Sequence, residues 1–389
     1  MNAELRAKCD RLQHRAFVLG LICLVLSIAD GIRAPEQFFR SYLLGFVFWI
    51  GLPLGCAAFL MIHYLTGGDW GLPIKQPLEA GARTLPLLLL LVIPLLFGLP
   101  YLFSWTHAEQ VAADPTLRLK HFYLNVPFFL VREVIYFTVW LWTAYQLAHW
   151  SSELHRTHDP IIQDRLERMS GPGLVVYAFT ITFFSIDWMM SLDPYWFSTI
   201  FGMIVMVIQV QVAIAFVILV AHLLGKYEPL SSAMSAPRFN DLGNLLLTFV
   251  MLWAYLAFSQ FLIIWSGNLF QEIRWYVSRA SNGWGMVAVA LIIFFFAAPF
   301  VLLLMRGIKR RVALLSAVSA VLIFLSFVDI YWMIVPSFYP SGPRFYLLDF
   351  LLPVAMGGCW LAFYIQQLKN HPLLPAVIGP LLKESSSGD

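Results

Sequence analysis

Ten apolar runs divide the chain, and short polar stretches separate them. They cover about 15–31, 42–65, 84–105, 122–149, 173–192, 196–224, 243–265, 284–305, 312–334 and 345–366. A helix needs about 20 apolar residues to cross the bilayer core. The pattern therefore predicts an all-α polytopic membrane protein with ten spans. The first run is the weakest. It follows Arg6, Lys8, Arg11 and Arg15, and no small-residue cleavage site comes after it. It reads as an uncleaved helix and not as a signal peptide.

The runs repeat. His63 ends the second and His222 the sixth; Trp105 ends the third and Trp265 the seventh. Ser185-Ile-Asp187-Trp188-Met189 closes the fifth, and Ser326-Phe-Val-Asp329-Ile-Tyr-Trp332-Met333 closes the ninth. A shift of four helices preserves direction. The repeat is thus parallel: spans 2–5 form one four-helix bundle, spans 6–9 a second, and spans 1 and 10 flank them. The corresponding divisions are 1–41 (N-terminus and first helix), 42–195 and 196–340 (the two bundles), and 341–389 (tenth helix and tail).

Composition agrees. Of 389 residues, 60% are hydrophobic and only 12% are charged, against about 25% charged in a soluble domain. That excludes a disordered chain, a nucleic-acid reader and a secreted disulfide scaffold. Net charge is only +3, so the placement of charge carries the information. Seventeen of the 25 Lys and Arg fall at the termini and in the loops on their side. Seven fall on the other side, and Arg132 lies within a span. The positive-inside bias predicts that both termini lie in the cytoplasm. Trp105, Tyr195, Trp196, Trp265, Trp275, Tyr276 and Tyr339 crowd the outer side, as an interfacial belt would.

Four charged residues fall five or more positions inside spans: Arg132, Glu133, Asp187 and Asp329. Each costs about 2.5–3.5 kcal/mol to insert, so each is expected to face protein interior or water. Arg132 is expected near mid-membrane, on a polar stripe with Asn125, Tyr136, Thr143 and Gln146. Glu133 is turned about 100° from it, so each should find a partner on another helix. Asp187 shares a face with Tyr177 and Thr180, and Asp329 with Ser326, Ser319 and Ser316. These are candidate proton paths, with His63 and His222 at the cytoplasmic ends. The plainer reading is carboxylates bonded to Arg132 or backbone, and hydroxyls used in helix packing. His107, Glu109, Gln260, Asn268 and Glu272 are candidates for a quinol site or partner interface on the outer side. Cys9, Cys23, Cys56 and Cys359 form no CxxC or CxxCH, and His155-x-x-His158 is a weak loop signal. No P-loop, HExxH or GxSxG occurs, so no catalytic residue and no resident metal or cofactor is assigned.

Three blocks carry a family resemblance. They are Ser185-Ile-Asp-Trp-Met-Met-Ser-Leu-Asp-Pro-Tyr-Trp-Phe-Ser-Thr-Ile-Phe-Gly202, Phe258-Ser-Gln-Phe-Leu-Ile-Ile-Trp-Ser-Gly-Asn268 with Glu272, Trp275-Tyr276 and Gly283-Trp-Gly285, and Val328-Asp329-Ile-Tyr-Trp-Met-Ile-Val-Pro336. The chain resembles the NrfD-like (PsrC-like) membrane subunits of alternative complex III, the smaller of the two most closely. The resemblance implies a subunit of a quinol:electron-acceptor oxidoreductase, with quinol or quinone nearby. It implies as partners a larger NrfD-like paralogue, an iron–sulfur subunit and multihaem cytochrome c subunits. Iron–sulfur clusters and haem c would then belong to those partners. Proton conduction, support of quinol binding, or both would fall to this chain. The family positions polar enough to matter are Asp187, Asp193, Gln260, Asn268, Glu272 and Asp329. Three other readings stay open: a secondary transporter with parallel repeats, a purely structural membrane anchor, and an NrfD-like quinol anchor of another oxidoreductase.

Overall fold

The computed structural model describes residues 3–372 except 72, 158, 228–230 and 232–234. His158 and the tail beyond 372 therefore lie outside the described residues. Among the described residues, ten helices are long and apolar enough to cross a membrane, one for each expected run. The first two are α1 (Ala3–Gly31) and α2 (Pro35–Thr66). The third span is made of α3 (Lys75–Ala82) and α4 (Leu85–Leu102). Two short helices, α5 (Ala108–Ala113) and α6 (Pro115–Lys120), precede α7 (Val126–Thr157) and α8 (Pro160–Trp188). The second half has α9 (Phe201–Leu224), α10 (Ala236–Gly267) and the amphipathic α11 (Phe270–Ala280). The eighth span joins α12 (Trp284–Leu291) to α13 (Ala298–Leu304) through a π turn at Ile292–Ala297. Then come α14 (Arg306–Arg310), α15 (Val312–Ile334) and α16 (Leu348–Lys369).

The helix ends follow local chemistry. Pro35 and Pro160 start α2 and α8, where their missing N–H costs nothing. Asp159 and Asp114 cap α8 and α6 by accepting backbone N–H groups. Asn268, at φ 48°, stops α10 in a left-handed turn.

Packing closes two rings of four. α2 touches α4 and α8, and α7 touches both α4 and α8. α9 touches α10 and α15, α10 touches α13, and α12 touches α15. α2 and α9 run against each other where the rings meet; α16 lies on α2, and α1 on α16. Burial follows this plan: 94% of the most apolar stretch of α2 is buried, against 22% of that of α1. The start of α1 and the end of α16 lie at one face, where Lys369 meets Asp10 at 2.5 Å. We call this the terminal face and the other the far face.

Three expectations change. The third span begins at Lys75, not near 84, and every residue of α3 is buried. Lys75, Gln76 and Glu79 disguised this turn as a loop. Arg132 lies in the second turn of α7, near the far face and not at mid-membrane, because α7 starts only at Val126. Three of the seven aromatics expected in the belt are core: Trp105, Trp196 and Trp275 are buried, and Trp196 stacks on Trp275 at 4.4 Å. Trp265 is exposed, as a belt residue should be.

The tightest approach joins the two rings. A Cβ on Gly55 of α2 would stand 2.0 Å from the carbonyl oxygen of Gln209 in α9. Gly51, one turn earlier, packs on the Gln209 side chain. Small residues four apart let two membrane helices meet backbone to backbone. Gly55→Val should cost at least about 3 kcal/mol, because backbone cannot yield as a side chain can. Gly171→Ala, where an added Cβ meets nothing within 4 Å, should cost nothing. Thermal unfolding in detergent separates the two.

Candidate functional site

The far-face end of the first ring holds a buried ion pair. Arg132 of α7 grips Asp187 of α8 through two parallel bonds, Nε to Oδ2 at 2.9 Å and Nη2 to Oδ1 at 2.8 Å. The remaining nitrogen, Nη1, donates to the Tyr123 carbonyl at 3.0 Å. The guanidinium also lies 3.8 Å from the Tyr123 ring centroid. Tyr136, one turn along α7, donates its hydroxyl to Asp187 Oδ2 at 2.8 Å. This fork-on-fork geometry is the strong form of an ion pair. Glu133 points elsewhere, as its rotation predicts: Trp188 Nε1 donates to its Oε1 at 2.8 Å, and Oε2 is buried with no partner.

Below the pair the polar stripe thins. Trp140 Nε1 donates to Thr180 at 2.9 Å, and the Tyr177 hydroxyl donates to Gln209 at 2.7 Å. Trp140 and Tyr136 are joined by ring stacking, not by a hydrogen bond. Asn125 serves its own helix end, bonding Phe128 N and the His121 and Phe122 carbonyls. Thr143 and Gln146 are half-buried and outside this cluster. His63 packs against Trp70 at the terminal face, with a buried, unpartnered Nδ1. His222 is half-buried at the same face and joins no polar cluster.

The second ring is built differently. Asp329 of α15 is buried, and it accepts one hydrogen bond, from Trp253 Nε1 of α10 at 3.0 Å. Among the described residues, no cation pairs with it as Arg132 pairs with Asp187. Ser326 and Ser316 bond carbonyls of their own helix, at Leu322 and Ala313, so they serve the helix and form no relay. Ser319 Oγ is buried without a partner.

The three sequence blocks converge at the far face. Trp196 of the first stacks on Trp275 of the second, which meets Trp332 of the third edge-on at 5.5 Å. Ser198 donates to Gln260 at 2.7 Å, and Gln260 donates to the Tyr276 hydroxyl at 3.1 Å. Arg279 of α11 donates to the Met333 carbonyl at 2.6 Å and to Ser337 at 3.0 Å. Its Nε is buried without a partner, and burial pushes its pKa down to about 9. An open polar groove of about 750 Å³ lies above, between the halves. Asp114, Asp193, Tyr195, Arg274 and Arg279 line it. The Tyr195 hydroxyl donates to Asp114 and holds that carboxyl below its ordinary range. Arg274 stands 3.8 Å from Asp193.

The remaining candidates are scattered. His107 and Glu109 are exposed at the start of α5. Asn268 is exposed and works as the left-handed stop of α10. Glu272 is half-buried in the first turn of α11.

Two buried clusters escaped the sequence reading. At the terminal face Glu79 pairs with Arg83 at 2.9 Å and accepts the Ser151 hydroxyl. The four-residue spacing of Glu79 and Arg83 was the available signal. At the far face Asp349 of α16 accepts from Ser41 at 2.5 Å and from Gln37 at 3.1 Å. No local pattern marks that contact, which joins distant parts of the chain. Neither a family model nor a curated protein matches the chain.

Removing one member of a buried pair strands the other charge, a loss of about 3–5 kcal/mol. Asp187→Leu should show that loss in denaturation from detergent, and Arg132→Met added to it should restore most of the stability. Asp329→Asn removes no ion pair and should cost no more than about 1.5 kcal/mol.

Proposed function

We propose that this chain is the membrane subunit of a quinol-oxidising electron-transfer complex of the alternative complex III kind. The observation that carries the reading is the convergence of the three family-like blocks on one buried far-face cluster. They lie far apart in the sequence. Yet Trp196, Trp275 and Trp332 hold them in contact, with Asp187 and Asp329 on the adjoining helix ends. On this reading the far face is the outer one, and it meets the iron–sulfur and haem-bearing partners and the larger paralogue. The termini face the cytoplasm of a bacterial cell.

Oxidation of a quinol releases two protons and two electrons. The electrons leave through metal centres in the partner subunits. The work of this chain is then proton handling. Asp187 is held by Arg132 and Tyr136, and an added proton would weaken those charge-assisted bonds. Glu133 has a vacant Oε2 one helix face away, which offers a second place to hold a proton. Asp329, with a single indole donor, exchanges a proton at less cost in lost contacts.

The test uses the intact complex from native membranes. Asp329→Asn should lower quinol-linked turnover at least tenfold while the complex stays assembled. Asp187→Asn should do the same, with some loss of stability. Full turnover and full proton release in both variants would remove the carboxylates from the mechanism.

A further inference from the structure

The connection between the eighth and ninth spans carries cations and no acid. It reads Arg306-Gly-Ile-Lys309-Arg310-Arg311, four cations in six residues. No Asp or Glu occurs from Ile273 to Val328. The equivalent connection of the first ring, with its helix ends, is balanced: Glu153, Asp159, Asp164 and Glu167 accompany Arg156, Arg165 and Arg168. One place in the repeat is thus neutralised in the first half and bare in the second.

The bare turn is fastened from one side. The stem of Lys309 lies on Gly243 of α10, where an added Cβ would meet its Cγ at 2.7 Å. Its Nζ donates to Asn244 Oδ1 at 2.5 Å. The other three cations, Arg306, Arg310 and Arg311, are exposed. Among the described residues their side chains make no ion pair and no hydrogen bond. α14 packs on α10, α13 and α15, and of these only α10 brings a carboxylate to the terminal face, Asp241. It pairs with none of the three. Arg306 and Arg310 are four apart in α14, so they share a face, where like charges repel. Arg311 follows at the C-cap. An anion from outside the chain relieves that repulsion. Leu304, Met305 and Leu314 border the turn and are exposed. The cations therefore stand where the lipid-facing surface ends and head groups begin. Gly307 leaves room beside them, since an added Cβ there meets nothing within 4 Å.

We infer that this turn binds an anionic phospholipid, with Arg306, Arg310 and Arg311 on its phosphodiester and its acyl chains along Leu304, Met305 and Leu314. A guanidinium is a planar fork of N–H donors that matches two phosphate oxygens. An anionic leaflet attracts cations placed just outside a span. A zwitterionic lipid fits worse, because its amine adds a positive charge where no carboxylate pairs with the three arginines. An acidic protein segment would meet the charge and leave the apolar border uncovered. The site stands whichever function the chain serves.

Native mass spectrometry of the purified full chain tests it, with phosphatidylglycerol set against phosphatidylcholine of the same acyl chains. The expected result is saturable phosphatidylglycerol binding, at least tenfold tighter than that of phosphatidylcholine and weakened by salt. Arg306→Gln, Arg310→Gln and Arg311→Gln together should abolish the tight binding. Arg156→Gln, Arg165→Gln and Arg168→Gln together remove the same charge from the first ring and should leave it intact. Melting curves identify a variant that has not folded, and Arg310→Glu alone, with an expected loss of at least tenfold, then decides. Equal binding of the two lipids overturns the proposal. So does tight binding that survives in the second-ring variant, or that is lost equally in the first-ring variant. Displacement of the lipid by an equal concentration of inorganic phosphate overturns it as well, since a free anion would then be the ligand. In native membranes, a benzophenone on Gly307→Cys should crosslink to phospholipid. Crosslinking to a protein instead would overturn the lipid assignment.

Discussion

A guanidinium inside a bilayer must be met by protein, because hydrocarbon supplies no acceptor. Much of the first ring is arranged around that demand. Asp187 meets Arg132 with both oxygens, the Tyr123 carbonyl takes the third nitrogen, and the Tyr123 ring covers the cation. These contacts fix how α7 and α8 cross near the far face. They also fix the turn that leads into α7. With Arg132 held there, the next residue, Glu133, is turned away from the pair and meets Trp188. Trp188 itself lies in an aromatic nest with Phe46, Phe103 and Phe129. The pair is thus sealed by rings as well as satisfied by bonds.

The second ring repeats the backbone plan without repeating this solution. Asp329 stands at the place equivalent to Asp187, yet only an indole meets it. Arg279, a buried cation of the second half, belongs to the amphipathic α11 and holds carbonyl and hydroxyl oxygens instead of a carboxylate. The second ring instead holds a cavity of about 630 Å³ with Asp329 in its wall. The π turn of the eighth span borders it through Ile292 and Phe296. One half is therefore closed around a permanent ion pair, and the other keeps a carboxylate facing a cavity at the lipid boundary.

The sequence made the number of spans, their order and the parallel repeat legible, because bilayer thickness imposes long apolar runs. It also marked Arg132, Glu133, Asp187 and Asp329, because charge is rare in such runs. The expectation that Arg132 and Glu133 each bond to another helix followed from helical rotation alone. Depth was harder. Arg132 looked central because the turns at 122–125 are as apolar as the helix after them. The terminal pairs of the repeat were less informative than Asp187 and Asp329: Trp105 is buried and Trp265 exposed. Glu79 was hidden because polar residues inside α3 read as a loop. The Asp349 contact with Gln37 and Ser41 joins residues some 300 positions apart, and no periodicity encodes it.

The central claim is that these ten helices form the membrane part of a quinol-oxidising assembly. Affinity purification of the tagged full chain from its native membrane, in mild detergent, tests it most directly. The account predicts that polypeptides carrying covalent haem c and iron–sulfur clusters come with it, together with quinol oxidation activity. Recovery of the chain alone, or with solute-uptake activity and no redox partner, would contradict it.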